Sequence, residues 1–301
     1  MPSRFATVAI LLFWLVVTGY VARREILPRY FADEPPRIDF VLVDELSTAS
    51  THWTFYRDDQ KVGQLTTRTE YIPEDDTFRF ITVYRNLKFE FRVPKLAVGF
   101  EVTTGQTTVR VTRDGQLREQ TMQGSFEVQA FGLVMALAKT DVTGHVQNGQ
   151  LVGRGRLEST IFDRPIEELL EPVSVSGGQA LNPLMPLDRL RGVMPGRRWS
   201  IRESNPLFDS LRLVARKVLQ KQGMDTQLLP LGGEGDELLA EVLPEPEMIP
   251  RPNGVTSCWV IRYESADKSR VVKTFVARDD GRVLRQEAIG LGFNLRFERQ
   301  E

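Results

Sequence analysis

Between Arg4 and Arg23 the chain carries no charge, and this one run limits how the rest can be arranged. It reads Phe5-Ala-Thr-Val-Ala-Ile-Leu-Leu-Phe-Trp-Leu-Val-Val-Thr-Gly-Tyr-Val-Ala22. As a helix at about 1.5 Å per residue it spans roughly 27 Å, close to the ~30 Å of bilayer hydrocarbon. A helix is the one single-segment structure that satisfies its own backbone polar groups in lipid. Tyr20, Arg23 and Arg24 suit a headgroup boundary, whereas Trp14 lies too deep for an interfacial belt. A cleaved signal peptide is the rival reading. Against it, the run is longer than a signal core, Val17-Thr-Gly19 is a mediocre cleavage site, and no cysteine lies nearby for lipoprotein processing.

The reading adopted is an uncleaved transmembrane signal anchor over residues 1–24. Counting Arg4 and the terminal amine against Arg23, Arg24 and Arg29 slightly favours a cytoplasmic body. Long domains translocate largely regardless of such charges. An anchor so near the start usually exports the domain behind it, so the expectation is a single-pass membrane protein with an extracytoplasmic C-terminal domain.

Residues 25–39 read as a linker, since Pro28, Pro35 and Pro36 stop a continuing helix and Asp33 and Glu34 favour water. From residue 40 the texture is β. Short β-branched and aromatic runs recur at Thr51–Tyr56, Gln64–Tyr71, Thr77–Tyr84, Lys88–Val93, Gly99–Thr103, Thr107–Thr112 and Gln116–Met122. In Phe78-Arg-Phe-Ile-Thr-Val-Tyr84 one face collects Phe78, Phe80, Thr82 and Tyr84, and the other Arg79, Ile81 and Val83. That alternation predicts an antiparallel strand buried on one face and partly covered on the other. Asp58-Asp-Gln-Lys-Val-Gly63 contains a turn, and Arg113-Asp-Gly-Gln116 is a hairpin turn because Asp-Gly tolerates positive φ. Phe126 to Ala138 fits either a buried helix or a long strand. Residues 141–160 carry four glycines and read as strands and turns.

Pro165–Leu170 predicts a short helix that Pro172 ends, and Ser176-Gly-Gly178 with Pro183, Pro186 and Pro195 predicts irregular chain. Asn205–Gly223 is open between helix and strand. A turn at Gly232–Gly235 precedes a loop carrying Pro244, Pro246, Pro250 and Pro252. Strands then return at Cys258–Glu264, Val271–Arg278, Arg282–Ala288 and Phe293–Arg299. The fold class expected is mainly β (α+β): a large antiparallel sheet or half-barrel with one or two short helices. Its organisation is a first β unit over 40–160, a connector over 161–195 and a second β unit over 196–301. Val111-x-Arg-Asp-Gly-x-Leu117-Arg118 echoes Val276-x-Arg-Asp-Asp-Gly-x-Val-Leu284-Arg285. Either two related units or the common look of Asp-Gly hairpins accounts for that.

Chemistry is harder to find. A formal net charge of -1 excludes the basic surplus of a nucleic-acid binder. The single cysteine, Cys258, forms no intrachain disulfide, and both histidines, His52 and His145, precede it, against the order of papain- and transglutaminase-like sites. Within Ser257-Cys-Trp-Val-Ile-Arg-Tyr263 it reads as core filling. Asp75-Asp76 and Asp279-Asp280 read as turn residues. Gly153-Arg-Gly155 and Gly232-Gly-Glu-Gly235 lack the Lys-Ser/Thr ending of a phosphate loop. No catalytic, cofactor-binding or metal-ligating residue is assigned, and no cofactor is expected.

Three short blocks carry a resemblance: Trp53-Thr-Phe-Tyr56 with Lys61-Val-Gly-Gln64, Pro195-Gly-Arg-Arg-Trp199, and Asp280-Gly-Arg-Val-Leu-Arg-Gln-Glu287. Together they resemble uncharacterised bacterial membrane-anchored envelope proteins with a large curved antiparallel sheet, akin to lipoprotein-carrier half-barrels. The chain is also similar to the β-rich regions beside transglutaminase domains, whose catalytic core is missing here. The resemblance implies fold alone and carries over no functional residue. The expectation is a non-enzymatic envelope protein binding an apolar ligand, a lipid or lipoprotein, in a curved sheet. The alternatives are an accessory subunit docking on other membrane proteins and, third, a carboxylate-based hydrolase.

Overall fold

The structure, a computed structural model, describes residues 13–20, 36–38, 40, 50–93, 96–130, 133–160, 163–174, 188–202, 237–252, 254–289 and 294–300. Residues 13–20 are helical and fully on the surface, with Phe13 69% and Leu15 71% exposed. No described helix is long and apolar enough to cross a membrane. The rest of the expected anchor, Asn205–Gly223 and the Gly232–Gly235 turn lie outside the described residues.

The strands are β1 (Arg37–Ile38), β2 (Ser50–Arg57), β3 (Gln60–Ile72), β4 (Thr77–Val93), β5 (Leu96–Thr112), β6 (Leu117–Ala130), β7 (Leu133–Gln147), β8 (Gln150–Ser159) and β9 (Ile166–Ser174). Next come β10 (Leu190–Arg191), β11 (Arg198–Arg202), β12 (Glu237–Val242), β13 (Glu247–Arg251), β14 (Gly254–Ser265), β15 (Val271–Ala277), β16 (Val283–Ile289) and β17 (Leu295–Arg299). β1 pairs with β10. The other 15 form one antiparallel sheet in the order β11-β12-β14-β15-β16-β17-β2-β3-β4-β5-β6-β7-β8-β9, with β13 also on β14. The late strands therefore join the early ones through β17 on β2, with Phe297 opposite Phe55.

Alternation decides which face is covered. Along β7, Ala136, Ala138, Thr140 and Val142 are buried while Met135, Leu137, Lys139 and Asp141 are exposed. Buried residues from β2 to β8 and from β11, β12 and β14 to β17 share one apolar cluster, so the sheet curls its inner face about a common core. Trp53, Phe55, Phe78 and Phe126 are its largest buried side chains. Phe40 stacks on Phe78 at 3.7 Å between ring centroids. Further along, β14–β16 alternate between two cores. Ile261, Tyr263 and Val272 face the main cluster, whereas Cys258, Val260, Phe275, Ala277 and Leu284 join Ile249 in a second one. That is the pattern of strands covered on both faces.

Several expectations are met. Thr77–Tyr84 has Phe78, Phe80 and Thr82 buried on one side and Ile81 buried on the other. Asp58 and Asp59 hold φ of 46° and 67°, the two-residue turn that matches hairpin twist. The two echoing segments are both hairpin ends, and each has a register shift beside its turn, at Arg110/Val111 and at Phe275/Val276.

Others are corrected. Pro165–Leu170 is not a helix: Ile166–Ser174 is β9, held on β8 with Glu167 opposite Arg156 and Ile166 opposite Leu157. Backbone pairing with a neighbour outweighs the weak helical preference of a six-residue stretch. Pro250 lies inside β13 rather than in a loop, on a strand at the sheet margin where a missing N–H is tolerated. The 126–138 ambiguity resolves as the β6–β7 hairpin. The expected breaks near residues 85–87 and 104–106 do not end strands. They bend them: Asn86 takes φ 51° within β4, and the register shifts between Val102 and Thr104 within β5.

Candidate functional site

Beside that bend lies a site-like feature of the described surface. Where β4–β8 pass it, their outer face sinks into a trough of ≈ 670 Å³. The register explains who lines it. One cross-strand row runs Arg85, Thr104, Ser125, Lys139, Glu158, and a parallel row runs Val83, Gln106, Gln123, Asp141, Arg156. Between them lies Tyr84, Gly105, Gly124, Thr140. Two directly paired glycines let rings fold close to the backbone here. A Cβ on Gly105 would stand 3.4 Å from Tyr84 Cδ2, and one on Gly124 would stand 2.9 Å from Phe126 Cζ.

Charges in the trough are partly committed. Gln123 Nε2 donates to Asp141 Oδ2 at 3.2 Å, and Arg156 Nη2 donates to Glu158 Oε1 at 2.8 Å. Arg85 and Lys139 stand without an ion-pair partner among the described residues. Beneath them, burial pushes the Tyr84 hydroxyl up to about 12, against a smaller lowering by Thr107, so it stays protonated at neutral pH. With donors, amides and two available cations, the trough suits holding a polar anion.

A second feature lies on β7, towards its start. Leu133 (66%), Val134 (55%) and Leu137 (50%) are exposed, as is Met135. The β7–β8 ladder ends at Ala138 opposite Ser159, with three further bonds at Leu137: its carbonyl accepts from Thr160 N–H and Ser159 Oγ, and its N–H donates to Thr160 Oγ1. Leu133–Ala136 therefore forms an apolar strand edge with no β8 partner among the described residues. Lys139 lies two positions beyond Leu137 on the same face, about 7 Å along the strand.

The residues weighed from sequence are not brought together. Cys258 is buried in the second core, and desolvation, with Asp279 nearby, pushes its thiol up to about 11. His52 is exposed on β2, with Nδ1 3.2 Å from Thr66 Oγ1. His145 is exposed on β7, opposite Val152. Asp76 takes φ 52° in the β3–β4 turn, where Arg113 and then Tyr71 hold its carboxyl below the usual range. Asp280 holds the Arg282 backbone and guanidinium in the β15–β16 turn. Gly153 and Gly155 are strand residues of β8. Among the described residues, no group of three or more His, Cys, Asp and Glu side chains could hold a metal ion. The trough escaped the sequence because its residues, alternate polar positions on five strands, each look like ordinary solvated surface.

No family model matches the chain, and no curated protein matches it. Among solved structures it is similar to a β-barrel-like protein of domain of unknown function DUF1849 from Brucella abortus, at 11% identity and a TM-score of 0.36. The match covers 83% of this chain and 96% of that one. A likeness this distant assigns no function.

Proposed function

We propose that this is a non-enzymatic, membrane-tethered protein of the cell envelope that binds an apolar ligand, a lipid or lipoprotein acyl chain, on its curved sheet. The uncharged run Phe5–Ala22 supplies the tether, and the body is extracytoplasmic. The observation that carries the reading is the exposed apolar edge Leu133–Leu137. Four large apolar side chains on one short strand end are costly in water, at about 25 cal/mol per Å² of exposed apolar surface. Such an edge marks a place where something apolar is met. The interior is not the site, because its aromatic side chains are packed against one another.

The test is photocrosslinking of the full chain, in bilayers, with a diazirine fatty acid. Label should concentrate at residues 133–137 and fall severalfold in Leu137→Asp. Label spread evenly over the sheet, or unchanged in that variant, would sink the reading. Sodium carbonate washing should leave the full chain in the membrane pellet.

One observation favours the second reading, an accessory subunit. The same edge has backbone groups with no strand partner among the described residues, where a strand of a partner protein would pair. A stable protein partner recovered without lipid, and lost on Ala136→Pro, would favour it.

A further inference from the structure

We infer that the trough across β4–β8 is a binding site for a phosphate-bearing polar ligand, gripped by Arg85 from one flank and Lys139 from the other. β5 and β6 lie between the two cations, so their backbones stand three strand spacings apart, roughly 14 Å. Long side chains from both flanks can meet over the ≈ 670 Å³ space between. Of the remaining charges, Arg156 and Glu158 offset each other. Asp141 accepts from Gln123, and Glu158, opposite Lys139 in register, accepts from Arg156. The trough thus offers two cations with no ion-pair partner among the described residues against the one carboxylate, Asp141, that no cation offsets, and the side chains of Thr104 and Ser125 add hydroxyl donors between them.

A single carboxylate needs only one such cation. Two on opposite flanks suit an anion whose charge is spread over several oxygens, and the guanidinium binds phosphate bidentately. A nucleic-acid strand is disfavoured: three cations and two carboxylates make too small a basic excess for one, and the chain as a whole is at -1. The phosphate can come from a soluble ester or from a lipid headgroup. The site does not require the acyl-binding reading to hold, because a soluble probe engages it alone.

The experiment uses the full chain in uncharged detergent micelles, titrated with glycerol 3-phosphate, and in nanodiscs of phosphatidylcholine with or without phosphatidylglycerol. Saturable binding should be weakened at least tenfold by R85Q/K139Q and restored by the charge-keeping R85K/K139R. Arg118→Gln, near the start of β6 and five residues (about 17 Å) from Gln123, should bind as the parent does. Binding of glycerol 3-phosphate identifies a soluble ester, and binding only to phosphatidylglycerol discs identifies a headgroup. Binding of neither probe, or equal binding by R85Q/K139Q, overturns the proposal. Phosphatidylcholine contact through Leu137 should survive R85Q/K139Q, which separates failure here from failure of the acyl reading. Both substituted residues are exposed, and melting temperature checks the fold.

Discussion

Trp53 Nε1 donates a hydrogen bond of 3.1 Å to Thr67 Oγ1, joining two buried side chains on the paired strands β2 and β3. The indole brings large apolar area into the core but carries an N–H that needs an acceptor there. Thr67→Val should therefore cost about 1–3 kcal/mol, the penalty of an orphaned buried donor. In a Trp53→Phe background the same change should cost much less. Urea unfolding of the four variants measures this, and simple additivity would refute the coupling.

Gly281 holds φ at 70°, and a Cβ there would stand 2.6 Å from the Leu190 carbonyl oxygen. Gly149 holds a similar φ of 73° with nothing within 4 Å. Gly149→Ala should cost about 1–2 kcal/mol, the ordinary strain of the left-handed region. Gly281→Ala should cost more, because the backbone of β10 must also move. Equal losses in chemical denaturation would show that the β10 contact is immaterial.

Asp267 accepts hydrogen bonds from Ser265, first in effect, and from Ser269, which lower its carboxyl to about 2. A depressed folded value means the turn's contribution is present above the unfolded value near 3.9 and is lost as pH falls through 2. Carbon-13 titration of the side chain should show that low midpoint. A midpoint near 3.9 would contradict the geometry. Asp267→Asn should flatten the acid limb of the melting profile between those two pH values.

Cys258, with its thiol raised to about 11, should react with a disulfide reagent at neutral pH far more slowly in the folded chain than in guanidinium. Prompt labelling of the folded chain would show that the second core is open.

Where local chemistry suffices, the elements were readable. Asp58-Asp59 and Asp114-Gly115 announce their turns through the positive φ they tolerate. The Phe78–Tyr84 alternation announces its buried face. What failed was the distinction between a bend and an end. Asn86 and Gly105 look like strand breakers, yet β5 pairs with β4 before and after Asn86, and β4 and β6 flank Gly105 on both sides. The helix expected over Pro165–Leu170 failed because β8 supplies the pairing that a short segment cannot provide alone. The trough was illegible for a different cause. Arg85 and Lys139 are 54 positions apart, and only the shared register of β4 to β7 sets them on one side of one hollow.

The junction of β17 with β2 has a temporal meaning. Trp53 pairs with Arg299, so on a ribosome the margin of β2 stays open until about 245 further residues have emerged. Contacts this remote in sequence slow folding and leave a sticky margin exposed meanwhile. Clipping residues 295–299 should thus leave an aggregation-prone molecule rather than a slightly smaller one.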